Sequence, residues 1–190
     1  MLLPFFFYFA CSDVKDGHDH DHDHEVMTTV VLNFTDESGE TSEYQFIDLQ
    51  DGNDPTIDEI TLSAGTHTLA VSFLNELETP SHDVTQEISD EEDEHQIFFS
   101  GDVENCSSGT ALVQHAYTDT DSEGHPIGLS NTITPIAEGT GELIVSLRHL
   151  AMEDGQLVKT GSLYEDFCNG DDIPGDWDVQ VTFPLSSHIH

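Results

Sequence analysis

His67-Thr68-Leu69-Ala70-Val71-Ser72-Phe73-Leu74-Asn75-Glu76-Leu77 decides the fold class of this chain. Leu69, Val71 and Phe73 recur at every second position, which places them on one face of a β-strand; an amphipathic helix needs a period near 3.6. Downstream, Leu143, Val145 and Leu147 alternate in the same way, and so do Trp177, Val179, Val181 and Phe183. Shorter β-branched and aromatic runs cover Val26 to Phe34, Ser42 to Leu49, Ile57 to Leu62, Gln96 to Ser100 and Ala111 to Tyr117, separated by acidic Gly, Asn and Pro turns. About eight strands with one buried face each predict an all-β fold, an antiparallel immunoglobulin-like β-sandwich over residues 26–190. One helix signal interrupts them after the fourth strand. Asp83-Val84-Thr85-Gln86 fits a capping box, and Val84 and Ile88 at i, i+4 predict a short helix running toward His95.

The 190 residues are 36% hydrophobic, enough for one core, and carry 39 Asp+Glu against 3 Lys+Arg, a formal net charge of -36. Nucleic acid and anionic lipid headgroups are repelled by such a surface, so cations are the natural partners.

Leu2 to Ala10 form an apolar run too short to span a bilayer, ending in Phe9-Ala10-Cys11-Ser12. This pattern predicts a signal peptide over 1–10 and, from the small residue before Cys11, a bacterial lipobox with Cys11 as the acylated residue. The run lacks a preceding Lys or Arg, and Tyr8 and Phe9 are bulkier than a lipobox usually has. Residues 11–25 contain no apolar block and read as a flexible tether, which puts the protein in the periplasm or on the cell surface as an outer-membrane lipoprotein. With Cys11 used for lipid, Cys106 and Cys168 remain as a pair for an oxidising compartment. A disulfide between them would close a loop of roughly 60 residues and stabilise by about 3–4 kcal/mol; two buried thiols are the alternative.

Metal chemistry enters with His18-Asp19-His20-Asp21-His22-Asp23-His24. In extended chain the period of two sends His18, His20, His22 and His24 to one side, where imidazoles bind zinc or copper and neighbouring aspartates raise histidine basicity. The other reading of the tract is a solvated acidic spacer. A second constellation comprises Glu76, Glu78 and His82, followed by Glu87, Glu91 and His95 at i, i+4 spacing on the expected helix. Its alternatives are a mixed carboxylate–imidazole site and a solvated acidic face over Val84 and Ile88. Asp119-Thr120-Asp121-Ser122-Glu123-Gly124 resembles the start of a calcium loop, but Ser130 occupies the twelfth position where Glu is required, which favours an acidic turn. No Gly-x-Ser-x-Gly, His-Glu-x-x-His or phosphate loop occurs, so the chain reads as a non-enzymatic binding protein. His67, His115 and His149 read as strand or turn residues, and Arg148 as the anchor of a carboxylate network.

Phe73-Leu74-Asn75-Glu76-Leu77-Glu78-Thr79-Pro80, Asp93-Glu94-His95-Gln96-Ile97-Phe98-Phe99, Tyr117-Thr118-Asp119-Thr120-Asp121, Pro126-Ile127-Gly128-Leu129, Leu147-Arg148-His149 and Trp177 to Phe183 together resemble a family of small Bacteroidetes His-rich lipoproteins, sometimes labelled type 1 periplasmic binding domain proteins. The resemblance spans His18 to Phe183 and implies no activity; the label implies a two-lobed α/β receptor, against which the strand pattern stands. Departures are Leu150, Met152-Glu153 and the Cys106/Cys168 pair. The expected function is a lipid-anchored protein capturing divalent zinc or copper near the membrane and handing it to an outer-membrane transporter. An immunoglobulin-like structural or adhesion module with an incidental His tract is the rival.

Overall fold

The computed structural model describes residues 26–150 and 156–190. The expected signal peptide over 1–10, Cys11 and the His18–His24 tract lie outside the described residues.

Strand β1 (Thr29–Thr35) lies between β2 (Thr41–Ile47) and β5 (His67–Asn75), and its register with β5 sets Val30 beside Phe73, Leu32 beside Val71 and Phe34 beside Leu69. These residues therefore share one face, as the alternation in β5 requires. The larger sheet continues to β3 (Thr56–Ile57) on one side and to β9 (Ser130–Pro135) and β8 (Val113–Tyr117) on the other, giving the order β3-β2-β1-β5-β9-β8; β6 (His82–Asp83) also pairs with β5. The second sheet has the order β4-β11-β10-β7, formed by β4 (Ile60–Leu62), β7 (His95–Gly101), β10 (Gly139–His149) and β11 (Asp176–Ser187). Ile97 and Phe99 from β7, Leu143, Val145 and Leu147 from β10, and Val181, Phe183 and Leu185 from β11 meet the apolar face of the larger sheet in one core. Each such side chain, fully buried, stabilises by roughly 1.5–3 kcal/mol.

Several expectations change on folding. The run Ile57 to Leu62 is two strands: β3 stays on the large sheet with Ile57 42% exposed, while Ile60 and Leu62 cross to the other sheet and are buried. There β4 runs parallel to β11, so the second sheet is mixed rather than wholly antiparallel. β9 was not expected, because Ser130-Asn131-Thr132-Ile133-Thr134-Pro135 is polar in composition even though Asn131 and Ile133 are completely buried.

Trp177 does not share a face with Val179. A bulge near Leu147/Arg148 pairs Leu147 with Val179 but Arg148 with Trp177, so Asp178 is skipped and Trp177 turns to the outer face of the small sheet. Phe98, which alternates with Ile97 and Phe99, is on that outer face too, with its ring centroid 5.8 Å from that of Trp177. It is nevertheless wholly buried, because α2 (Leu163–Asn169) and its flanks bring Leu163, Phe167, Val158 and Ile173 over it. No helix signal in the sequence marks this second helix.

The first helix, α1 (Thr85–Asp90), stops short of His95. Val84 and Ile88 bury, but the next inward position falls on Glu91-Glu92, whereas His95 to Phe99 is a fully buried strand. The expected capping box does not form: Val84 is the N-cap and no side chain caps it, Asp83 Oδ1 accepts from the Thr85 N–H at 3.0 Å just before the helix, and Gln86 donates to Asp90.

Candidate metal centre

His95 opens β7 and His149 closes β10, and the antiparallel register sets them directly opposite one another. Their rings stack, with centroids 4.7 Å apart and planes 13° from parallel. Glu91 caps the end of α1, and the tight turn from there to β7 carries its carboxyl group back to the same place. One ligand atom from each of Glu91, His95 and His149 lies within 4.8 Å of the others. A cluster of Glu and His side chains able to hold a metal ion is thus assembled from the end of a helix and two strands.

The imidazole of His95 is oriented by the backbone. Its Nδ1 lies 3.2 Å from the carbonyl oxygen of Glu91, which can only accept, so Nδ1 carries the proton and Nε2 holds the free lone pair. A ring N–H donated to a backbone carbonyl is the usual way of fixing a metal-binding histidine. Burial holds the His95 pKa below its ordinary value, as does the neighbouring His149; the hydrogen bond to Glu91 and the charges of Asp178 and Glu91 oppose them. The favoured form is the neutral imidazole, the one that binds a metal. Glu94 supplies a further carboxylate, with Oε2 3.5 Å from His149 Nε2.

Two imidazoles and a carboxylate match the donor set of zinc sites that keep a fourth position open. Donors around one tetrahedral zinc ion stand about 3.3 Å apart for bonds near 2.0 Å. The 4.8 Å envelope is wider, so the donor atoms must close by up to about 1.5 Å on an ion. Glu91 is exposed and can rotate, whereas His95 is buried and serves as the fixed donor.

The constellation expected from sequence divides. Glu91 and His95 come together, although not along a helix face. Glu87 is paired with His82, Nε2 to Oε1 at 2.8 Å, on an exposed surface. Glu76 accepts from Thr29 Oγ1 at 2.6 Å, and Glu78 accepts from Asn75 Nδ2 at 3.2 Å; both steady the end of β5. His82, Glu87, Glu76 and Glu78 are therefore outside the triad, and its third member is His149, which reads from sequence as a strand or turn residue.

Other polar residues have structural partners. Asp119 accepts from the Gly128 and Ser130 N–H groups, and Asp121 from those of Glu123 and His125, so the calcium-like loop is an acidic turn held by its own carboxylates. Among the described residues the Arg148 guanidinium donates to the carbonyls of Ile173, Pro174 and Gly175 rather than to a carboxylate, lies 4.3 Å over the Trp177 ring, and feels the charges of Asp176 and Asp172. Cys106 and Cys168 are joined in a disulfide with Cα atoms 4.5 Å apart, tying α2 to the segment after β7. His115 is enclosed by Phe99, Tyr117 and Tyr164, with Nε2 3.0 Å from Asn131 Oδ1, and burial pushes its pKa down to about 4.

Among the described residues no helix is long and apolar enough to cross a membrane. No protein-family model, no curated protein and no solved structure matches the chain.

Proposed function

We propose that this is a lipid-anchored, extracytoplasmic binding protein that captures a divalent transition metal, zinc or copper, and that Glu91, His95 and His149 hold the ion in the folded domain. The observation that carries this reading is the pairing of a buried, neutral, carbonyl-oriented His95 with His149 and Glu91 inside one 4.8 Å envelope. Imidazole donors favour zinc and copper over calcium, and the net charge of -36 raises the local concentration of any cation.

In this account His18, His20, His22 and His24 collect metal near the membrane and the domain holds it for an outer-membrane transporter. Cys11 is the attachment point, and the protein acts without catalysis from the periplasm or the cell surface. Membership among the small His-rich lipoproteins belongs to the same proposal. So does an immunoglobulin-like topology, supported by two packed sheets, with the parallel β4–β11 pair as its departure.

Two experiments test the account. Labelled palmitate should enter the protein in its host and be lost in Cys11→Ala; labelling that survives the substitution removes the lipid anchor. Under zinc or copper limitation, a strain carrying His95→Ala/His149→Ala should grow more slowly than the parent; equal growth with equal protein abundance argues against metal capture as the function.

A further inference from the structure

The chain contains three Lys and Arg residues, and one of them bonds the turn that joins Glu91 to His95. Lys159 is buried, with only 1% of its side chain exposed, and its ammonium meets three acceptors: Asp121 Oδ2 at 2.9 Å, the Glu92 carbonyl at 2.7 Å and the His95 carbonyl at 2.8 Å. An ammonium has three N–H donors, and all three are used. Two of these acceptors belong to the turn that carries Glu91 and His95. The same turn is held at two other points, where Ser122 Oγ donates to Asp93 at 2.9 Å and the Leu150 N–H donates to the Glu94 carbonyl at 2.6 Å. Leu150 directly follows His149, so this last bond couples the turn to the strand that supplies the remaining ligand.

We propose that Lys159 is a positioning residue for the Glu91–His95–His149 centre, its ammonium locking the 91–95 turn so that an ion is bound by side-chain rotation on a fixed backbone. This inference rests on the metal-centre reading above. The physical reason lies in the spacing of the ligands. Closing donors from a 4.8 Å envelope costs little if only χ angles turn, and much more if the backbone must also be ordered on binding. Asp121 has a separate part: it neutralises the ammonium, while its other oxygen accepts from the Glu123 and His125 N–H groups and holds the 121–125 loop. A residue that only fastened the 156–175 segment to the sandwich would affect unfolding but not the metal affinity of the folded protein.

The test uses the full chain with His18, His20, His22 and His24 replaced by Asn, so that the tract does not contribute, and measures zinc affinity by competition with a chromophoric chelator together with the unfolding midpoint. Asp121→Asn leaves an oxygen acceptor for Lys159 but removes its counter-charge, and should lose less zinc affinity than the double variant. Lys159→Met/Asp121→Asn removes the ammonium without leaving a buried carboxylate unpaired, and should lose at least about tenfold while still folded by circular dichroism. If the parent binds zinc and the folded double variant binds it as tightly, or if Asp121→Asn alone loses as much as the double variant, Lys159 is not a positioning residue. If the parent binds no zinc, the metal-centre reading itself falls.

Should the double variant fail to fold, hydrogen exchange on the parent decides. The hydrogen-bonded amides of Glu91 and Glu94 should be protected before zinc is added and change little afterwards; protection that arises only with zinc would overturn the inference.

Discussion

His95 and His149 face one another across the β7–β10 ladder, their ring centroids 4.7 Å apart and their planes 13° from parallel. Two parallel rings direct their lone pairs alongside each other, so an ion between them requires one ring to tilt. His149 has 14% of its side chain exposed and stands beside solvent-accessible Glu94, whereas the His95 ring is held by the Glu91 carbonyl. The tilt therefore falls to His149, and metal binding should break the stack.

Phe98→Ala should destabilise the domain by about 3–5 kcal/mol, the usual range for emptying a buried aromatic site. Because Phe98 is covered by α2 rather than by the opposite sheet, the loss should reach that helix first. Hydrogen exchange should show 163–169 losing protection while β1 and β5 keep theirs; a uniform loss across both sheets would contradict this division of the core.

Stability should depend on pH through His115, whose pKa is pushed by burial from an ordinary 6.5 to about 4. Below pH 6.5 the unfolded chain takes up a proton that the folded chain refuses, so stability falls as pH falls and levels off near pH 4. The contribution is on the order of 3 kcal/mol. Urea unfolding at pH 7 and 4.5, with chelator present, should show a smaller pH difference in His115→Phe than in the parent. Equal differences would mean that His115 titrates normally.

β5 and β10 are legible in sequence because their apolar residues alternate, although in β10 the outer-face Ser146 and Arg148 are buried as well. The alternation puts Trp177 with Val179, but the bulge that skips Asp178 is created by pairing with β10 and leaves no mark in the residues of β11. β9 was missed because its inward positions include Asn131, a polar residue buried by donating to the Gly128 carbonyl and lying 3.0 Å from His115 Nε2. α2 has only Leu163, Tyr164 and Phe167 among acidic neighbours, too few for a periodic signal, and it ends at Gly170 in the left-handed region, φ 80°. Two of the three triad residues are legible, since Glu91 and His95 are close in the chain. His149 arrives by strand register, which local spacing does not encode.

Removing the disulfide should cost about 4 kcal/mol, the loop-closure value for a sequence separation of 62 residues. Cys106→Ser/Cys168→Ser should lower the urea midpoint accordingly, and intact mass after alkylation of the parent should show neither cysteine modified before reduction. Alkylation of native Cys106 or Cys168 would contradict the pairing.

The central claim is that the folded domain has its own metal site, independent of the His tract. Calorimetric titration of zinc into the full chain with His18, His20, His22 and His24 replaced by Asn tests it most directly. The account predicts one zinc ion per chain, at least a tenfold loss of affinity in His95→Ala and in His149→Ala, and little competition from calcium. Zinc affinity unchanged in both alanine variants, or no binding once the tract is removed, would contradict it.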